Sequence, residues 1–524
     1  MRKICEKTGP KSDKIVLRQF LFGFSCDMIA GHVFARAPAK DETEKEVRGE
    51  SRMEKANTPL TENKMGTMPI GKLVVSMSAP MMASMLFQAL YNIVDSIFVS
   101  RMGSNALNAL SLAFPFQMLM MAFSLGTSIG MNALISRYLG QKEQEKADRA
   151  AGTGIVLSML CGCLFCVIGL TLAEPFFRFQ TDNEEIVEYG KQYIMICGGL
   201  CFGQFAQMCA EKLLQSTGRT KLSMVSQLCG AGCNIIMDPI LIFGYLGFPA
   251  MGVAGAAIAT VAGQFLAAAV GFILHIRKNP ELNFRKKYLR VDLRMTVEIY
   301  KIGFPSLIMQ CVGSVMNFLL NKIFLGFTEA ATAVFGAYFK IQSFIFMPIF
   351  GMNSAMVPII AYNYGACKPH RVKETTRLCI LIAIGIMAVG TAVFEIIPDA
   401  LLGFFKPAED AVQQGGVTFE EMLEVGRVAF RTIAIHFPFA GFCIVASSVC
   451  QAMGKPHYSL ITSLCRQLVV LLPAVWLLSL IGNLDAVWWA FPLAEVVCAV
   501  LSVFYLKNTL KQNGAVPEPA YREN

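Results

Sequence analysis

The sequence has 524 residues, of which 54% are hydrophobic and only 16% are charged, with a formal net charge of +9. Soluble domains carry roughly 25% charged residues and cannot cover this much apolar surface with polar groups, so a soluble globular fold is excluded. The basic residues stand in short stretches between long apolar blocks, which is typical of membrane topology and not of a nucleic-acid-binding surface.

The amino-terminal residues 1–70 form a separate, charged region. Its one apolar piece, from Phe20 to Ala30, contains Asp27 and is too short to cross a bilayer. We expect residues 1–70 to form a disordered cytoplasmic tail, or in part to lie upstream of a true start at Met53 or Met65.

Twelve apolar blocks follow, with the length that an α-helix needs to cross ~30 Å of hydrocarbon. Helices are predicted because in lipid the backbone must satisfy its own hydrogen bonds, and a barrel would show alternating polarity instead. The predicted spans are 73–99, 106–136, 151–173, 188–210, 222–246, 253–275, 300–326, 331–361, 377–397, 427–451, 458–482 and 486–507.

The loops between these spans fall into two classes. One class is basic, as in the loops that carry Lys142, Lys146, Arg219 and Lys368, and the other is acidic or uncharged, as in 174–188 and 399–424. Lys212 is assigned to a basic loop. Because basic loops favour the cytoplasm, we expect both termini of this multi-pass membrane protein to be cytoplasmic.

The two halves of the chain repeat one another at an offset of 225 residues. The matched pairs are Pro80 with Pro305, Asn92 with Asn317, Gln117 with Gln342, Gly126 with Gly351, and Gly140 with Gly365. Both repeats begin on the same side of the membrane, so they are parallel. The predicted organisation is a six-helix lobe over 71–280, a basic cytoplasmic linker over 281–299, a second six-helix lobe over 300–510, and a short tail over 511–524.

Two buried acids occur in the first half alone. Asp95 corresponds to Leu320, and Asp238 corresponds to Leu472 when Pro239 is aligned with Pro473. A carboxylate in hydrocarbon costs about 2.5–3.5 kcal/mol even on the lenient insertion scale. The duplicated scaffold does not require it, since the other half has leucine, so we interpret the acids as functional.

Depth and helical spacing place three more side chains near these acids. Asn234 lies one turn from Asp238, Tyr91 lies one turn from Asp95, and Thr260 lies at a comparable depth in span six. Carboxylates in such a cavity can share a proton or can coordinate a hard cation such as Na+ with amide and hydroxyl oxygens.

Other polar groups within the spans are weaker candidates. Lys340 and Gln88 are candidate substrate-cavity residues, and Lys340 could equally form a structural pair. Lys322, Arg466 and Glu495 are expected to reach an aqueous interface by snorkelling. His436 is interpreted as a packing residue. The 17 cysteines and five histidines form no metal-binding or catalytic spacing, and no phosphate-binding loop is found, so neither an enzyme nor an ATP-driven pump is predicted.

Several stretches of the chain resemble the multidrug and toxic compound extrusion (MATE) family, and its DinF-like and MepA-like bacterial branches in particular. The resemblance covers about residues 70–510. The stretches are Gln88-Ala-Leu-Tyr-Asn-Ile-Val-Asp95-Ser-Ile-Phe-Val-Ser-Arg-Met-Gly103, Leu214-Gln-Ser-Thr-Gly218, Asn234-Ile-Ile-Met-Asp238-Pro239, Gly255-Ala-Ala-Ile-Ala-Thr260 and Pro358-Ile-Ile-Ala-Tyr-Asn-Tyr-Gly365.

This resemblance implies an all-α membrane protein in which two six-helix lobes form a V around a central cavity. It implies that Asp95, Asn234, Asp238 and Thr260 form the coupling-cation site, with Tyr91 beside it. It also implies export of cationic amphipathic organic compounds in exchange for H+ or Na+, by alternating access. Residues 302–326 contain no Asp or Glu, so the sodium site that some members carry in helix seven is not matched.

Two alternative functions remain open at this stage, a flippase for lipid-linked precursors and a non-transporting membrane receptor. A flippase needs a strongly basic central cavity, against which the buried acids argue, although Lys340 keeps it open. The expected partners are small organic cations and the lipid bilayer, without nucleic acid, and the protein is expected to be monomeric and to need no cofactor other than the coupling ion.

Overall fold

The computed structural model describes residues 62–100, 102, 104–284, 286–405 and 417–514. The side chains of 91–97, 99, 100, 104, 286, 513 and 514 lie outside that description, as does most of the predicted tail, residues 1–61. Within the described ranges, the regular structure is entirely helical.

The helices of the first half follow the predicted spans closely. They are α1 (Lys64–Thr67), α2 (Ile70–Ser100), α3 (Ser104–Gly140), α4 (Gln144–Arg178), α5 (Glu184–Gly199), α6 (Phe202–Ser216), α7 (Thr220–Phe243) and α8 (Val253–Lys278).

The second half repeats this order after the linker. Its helices are α9 (Leu293–Leu325), α10 (Glu329–Gly365), α11 (Pro369–Ile396), α12 (Pro398–Gly403), α13 (Phe419–Ala434), α14 (Phe437–Ala452), α15 (Pro456–Leu464), α16 (Leu472–Ser479), α17 (Leu484–Trp488) and α18 (Ala490–Gly514). A π-helical segment, Cys465–Leu471, joins α15 to α16.

Ten helices of the described chain are long and apolar enough to cross a membrane, and up to twelve spans result if each of two bent pairs is one span. The bent pairs are α5 with α6, at 46°, and α13 with α14, at 45°. Every predicted span overlaps one of these helices or pairs. The two bends are absent from the sequence-based prediction, which drew spans four and ten as continuous.

Each half has its own aromatic core. Phe116, Phe165 and Phe205 pack together in the first half, at ring-centroid distances of 5.8–6.2 Å from Phe165. In the second half, Tyr338 packs against Phe394 and Phe437, among others. Trp488 is fully buried and stacked on Phe324, with the ring centroids 4.6 Å apart.

Close backbone contacts join the halves where α3 and α10 end. A Cβ atom added to Gly140 would lie 2.0 Å from the carbonyl oxygen of Tyr362, and one added to Gly365 would lie 2.2 Å from that of Arg137. Gly140 and Gly365 are a predicted repeat pair, and Arg137 and Tyr362 are separated by the same 225 residues (362 − 137). The two contacts are therefore related by the two-fold repeat axis, as expected for parallel repeats around an axis that passes between them.

These contacts lie at the end of the bundle that carries the basic loops 141–143, 217–219, 279–292, 366–368 and 453–455, which we call the basic end. The contact continues towards the middle of the bundle, where a Cβ atom on Gly130 would lie 2.1 Å from the carbonyl oxygen of Ile299. Only residues without a Cβ atom permit such a close approach. The halves are thus closed against each other over the basic half of their interface.

Residues 63–68, which we call the bridging segment, are ordered, although the sequence-based prediction included them in the disordered tail. Asn63 donates from Nδ2 to the Thr217 carbonyl at 3.2 Å and also to the Glu281 carboxylate, both in the first half or its linker. Burial raises the pKa of this Glu281 carboxyl. On the other side, Met65 is fully buried, and the Met65 and Met68 carbonyls accept from Arg371 at 3.0 and 2.7 Å. The segment therefore touches both halves.

Replacing Arg371 with alanine is expected to detach the bridging segment. The substitution leaves two backbone carbonyls without a charged donor, at a cost of about 2 kcal/mol, or roughly a 30-fold rise in the opening equilibrium. Hydrogen exchange at residues 63–69 should show this rise. Arg377→Ala, on an exposed position of the same helix, is the control and should leave the exchange unchanged. Equal exchange in the Arg371 and Arg377 variants would contradict the assignment.

Candidate functional site

Two glycine contacts between α7 and α8 bring the predicted site residues together. A Cβ atom on Gly263 would lie 2.7 Å from the Gly230 carbonyl oxygen, and one on Gly255 would lie 2.5 Å from the Leu241 carbonyl oxygen. Asn234 and Thr260 lie between these two contacts, and Asn234 Nδ2 donates to Thr260 Oγ1 at 3.2 Å. The predicted meeting of Asn234 with Thr260 is therefore present in the structure.

Asp238 lies one helical turn beyond Asn234 on the same face of α7 and is fully buried, at 0% exposure. It is five residues, or about 8 Å of helical rise, from the end of α7 at Phe243. Asp238 stands directly before Pro239, and a proline inside a helix has no N–H for the carbonyl four residues earlier. The Ile235 carbonyl is thereby released from the helical ladder, next to Asp238.

The other predicted members of this site belong to α2, which packs against α7. The Asp95 and Tyr91 side chains lie outside the described residues, so their proximity to Asp238 stays a prediction. Gln88, about two helical turns before Asp95 in sequence, is half-buried on α2. Lys340, the remaining substrate-cavity candidate, is exposed on α10, with its ammonium nitrogen 5.7 Å from the centre of the Phe405 ring, and its place in a cavity stays a prediction.

The side chains of Asn234, Asp238 and Thr260 present several oxygen atoms close together. Asn234 Oδ1 is buried and accepts no hydrogen bond from the described residues. Together with the Asp238 carboxylate and the Thr260 hydroxyl, it supplies the ligand types that hard monovalent and divalent cations prefer. No cluster of three His, Cys, Asp or Glu side chains suited to a metal ion is found in the described part of the chain. Among the described side chains, a cation here would be bound by one carboxylate together with neutral oxygens.

A second buried polar cluster, on α6, was missed by the sequence reasoning. Glu211 and Lys212 are only 2% and 6% exposed, so the assignment of Lys212 to a basic loop is wrong. Glu211 accepts from Gln207 and Gln227 at 2.9 and 2.5 Å. Adjacent charges are buried here because each has partners of its own.

Lys212 is a contact between the halves. Its ammonium donates to Gln215 Oε1 at 2.8 Å and, across the interface, to Ser354 Oγ of α10 at 3.3 Å. Gln215 could have indicated this burial, since the motif Gln215-Ser-Thr-Gly218 is repeated in the second half as Gln451-Ala-Met-Gly454. The pairing with Ser354 had no signal in the sequence.

The sequence profile of the MatE family matches residues 80–240 and 305–477, which together make up more than half of the chain. The chain belongs to the MatE family. The two matched blocks begin 225 residues apart (305 − 80), at Pro80 and Pro305, which confirms the repeat offset.

Known relatives of this MATE chain include export proteins of staphylococci. The multidrug export protein MepA of Staphylococcus haemolyticus is 28% identical over 436 residues, covering 83% of this chain and 93% of MepA. MepA of Staphylococcus aureus strain MSSA476 is 27% identical over 449 residues, covering 84% and 95%. These relatives are transporters and not enzymes, and the family places this chain among multi-span membrane transporters.

Solved structures share the fold. A MATE protein in complex with MaL6 matches with a TM-score of 0.81 and 24% identity, covering 87% of this chain and all of that one. A transporter of the MOP superfamily from Pyrococcus furiosus, whose binding pocket is described as having reverse polarity, matches with a TM-score of 0.81 and 23% identity, covering 88% and 100%. At these identities the likeness supports the all-α membrane fold and not the substrate.

Proposed function

We propose that this MATE chain is a secondary active antiporter of the bacterial inner membrane, which exports cationic amphipathic organic compounds in exchange for H+ or Na+. The observation that carries the proposal is the fully buried Asp238 beside Asn234, in a duplicated protein whose other half has Leu472 at the corresponding position. The names of the staphylococcal relatives support the export of drugs.

The buried carboxylate supplies the exchange. One negative charge in a low-dielectric pocket favours any cation that reaches it, so an organic cation and the coupling ion compete for Asp238. The closed contact between the halves at the basic end supports alternating access, because it can be exchanged for a contact at the other end. Release of one cation on binding of the other then couples the two fluxes.

Purified protein in liposomes tests this proposal. With ethidium inside the vesicle or outside it, a pH gradient or a Na+ gradient is imposed separately, and dye movement is followed by fluorescence. We expect one of the two gradients to drive dye against its own concentration gradient, which also identifies the coupling ion.

The same preparation separates the alternatives. Dye binding without gradient-driven flux would favour a receptor. Movement of a fluorescent lipid-linked pyrophosphate without dye flux would favour a flippase. Either outcome would overturn drug–cation antiport.

A further inference from the structure

The second half contains an ion pair between α18 and the π-helical segment, in which the acid is buried and the arginine is partly exposed. Glu495 of α18 is 4% exposed, and its Oε1 atom lies 3.6 Å from Nη1 of Arg466. The sequence-based prediction that both residues snorkel to an interface is wrong for Glu495, whose carboxylate is enclosed by protein. Charges placed inside a membrane protein are costly and are concentrated at functional sites.

The pair stands at a place comparable to the Asn234–Thr260 contact. Ala494-Glu495-Val496 in α18 matches Ala259-Thr260-Val261 in α8, and each of these helices is the last of its half. Thr260 faces the preceding helix through Asn234, and Glu495 faces the preceding helix through Arg466. Both halves thus place a polar contact between their last two membrane helices, neutral in the first half and charged in the second.

The geometry of the pair does not fit a purely structural ion pair. Such pairs contribute stability only with close geometry and with hydrogen bonds to the remaining lone pairs. Here the separation is 3.6 Å, and Glu495 Oε1 accepts no hydrogen bond from the described residues. Arg466 also stands on a π-helical stretch, a rare backbone form that is frequently found at functional sites, whereas the matching helix α7 is α-helical throughout.

The other ionisable groups around Glu495 come from the helices packed on it. His436, at the bend between α13 and α14, and Tyr338 of α10 are its electrostatic neighbours. His436 Nδ1 is already engaged by the Ile433 carbonyl at 2.5 Å. The thiols in range are Cys443 of α14 and Cys498 of α18 itself.

The charged side chains of α11 and α13 face elsewhere. Arg431 lies 4.0 Å from Glu395, and Arg427 lies 2.6 Å from Asp399, all of them substantially exposed. Within the described part of the chain, Arg466 is therefore the cation that balances Glu495.

We propose that Glu495 is a second proton-binding group, located in the second half, and that its protonation releases Arg466. The inference rests on the proposed antiport and adds a site to it. When a proton binds to Oε1 the carboxylate becomes neutral, while the guanidinium keeps its charge and loses its counterion. The Arg466 side chain is 26% exposed and otherwise enclosed by protein, where a cation without a counterion is disfavoured, so proton uptake favours movement of the segment Cys465–Leu471.

Infrared difference spectroscopy on the full-length protein tests the proton site without requiring transport. A pH change should produce carbonyl bands from protonated carboxylic acids, and Glu495→Gln should remove one of them. Asp238→Asn should remove a different band, and His436→Gln should leave the Glu495 band in place. If Glu495→Gln retains every band of the wild type, the proposal is wrong. Failure of the antiport proposal is distinguishable, since it appears as absent dye flux in the wild type.

A double variant covers the case in which Glu495→Gln does not fold, because Arg466 is left without a counterion. Arg466→Gln with Glu495→Gln removes both charges and should restore folding. If protons drive transport, net dye flux stops at a certain ratio of dye concentrations across the membrane. In the double variant this ratio should be lower than in the wild type by about tenfold per unit of imposed pH gradient, as expected for the loss of one coupled proton. With Na+ coupling, the pH dependence of the Na+-driven rate should be lost instead. A double variant with wild-type balance and pH dependence would show that the pair is structural only.

Discussion

Asp238→Asn is expected to abolish gradient-driven dye export while the protein still inserts and folds. Asparagine keeps the size of the side chain but removes the one negative charge that the structure shows beside Asn234. A cation about 4 Å from a carboxylate gains about 4 kcal/mol at an effective dielectric constant of 20, which is roughly a thousandfold in affinity. Coupled flux in liposomes should therefore fall to background.

Asp399, which is exposed where Asp238 is buried, provides a matched control. Asp399→Asn makes the same chemical change at an exposed carboxylate, which forms a surface ion pair with Arg427 at 2.6 Å. Surface pairs contribute little, so this variant should transport nearly as fast as the wild type. Dye flux at the wild-type rate in Asp238→Asn would remove the acid from the mechanism. Asp95→Asn should show the same loss as Asp238→Asn if the two acids share one site.

The contact between Asn234 and Thr260 was predictable because it depends on local rules. Helical spacing puts Asn234 and Asp238 on one face of a helix, and the length of a membrane span sets their depth. The glycines at 230, 255 and 263 then allow α7 and α8 to approach. The sequence also showed that the second half has Leu320 and Leu472 in place of Asp95 and Asp238, because the repeat allows the two halves to be compared.

The buried charges of Lys212 and Glu495 were not predictable in the same way. Whether a charged side chain near a span end reaches water depends on which helix stands opposite it, and that follows from packing between distant segments. For Glu495 the available signal was its alignment with Thr260, and for Lys212 it was the neighbouring Gln215. The bend between α13 and α14 also had a local sign, because Pro438 stands at the first turn of α14, where proline is tolerated at a helix start.

Gly140→Ala is expected to hold the two halves apart at the basic end. The added methyl group would lie 2.0 Å from the Tyr362 carbonyl oxygen, where ordinary contact needs at least 3.4 Å, and the obstacle is backbone that cannot rotate away. Overpacking of this kind costs about 3 kcal/mol, or roughly a hundredfold in the population of the closed state. Dye flux should fall at least about tenfold, because each transport cycle must pass through that state.

Hydrogen exchange reports the closure directly. Residues 137–140 and 362–365 should lose protection in the Gly140 variant, while Gly385→Ala in α11, with no atom within 4 Å of the added carbon, should be neutral or slightly stabilising. Unchanged protection and flux in Gly140→Ala would show that the halves do not need this contact.

The symmetry of the interface sharpens the prediction further. The methyl group of Gly365→Ala would lie 2.2 Å from the Arg137 carbonyl oxygen, in the contact that the repeat axis relates to that of Gly140. This variant should therefore have a similar effect. Either methyl group alone already separates the ends of α3 and α10 at both glycine contacts. The double variant should therefore raise the free energy of closure by clearly less than the sum of the two single variants. Full additivity would mean that the two glycines contribute to independent contacts. The halves would then not close through one shared contact around the repeat axis.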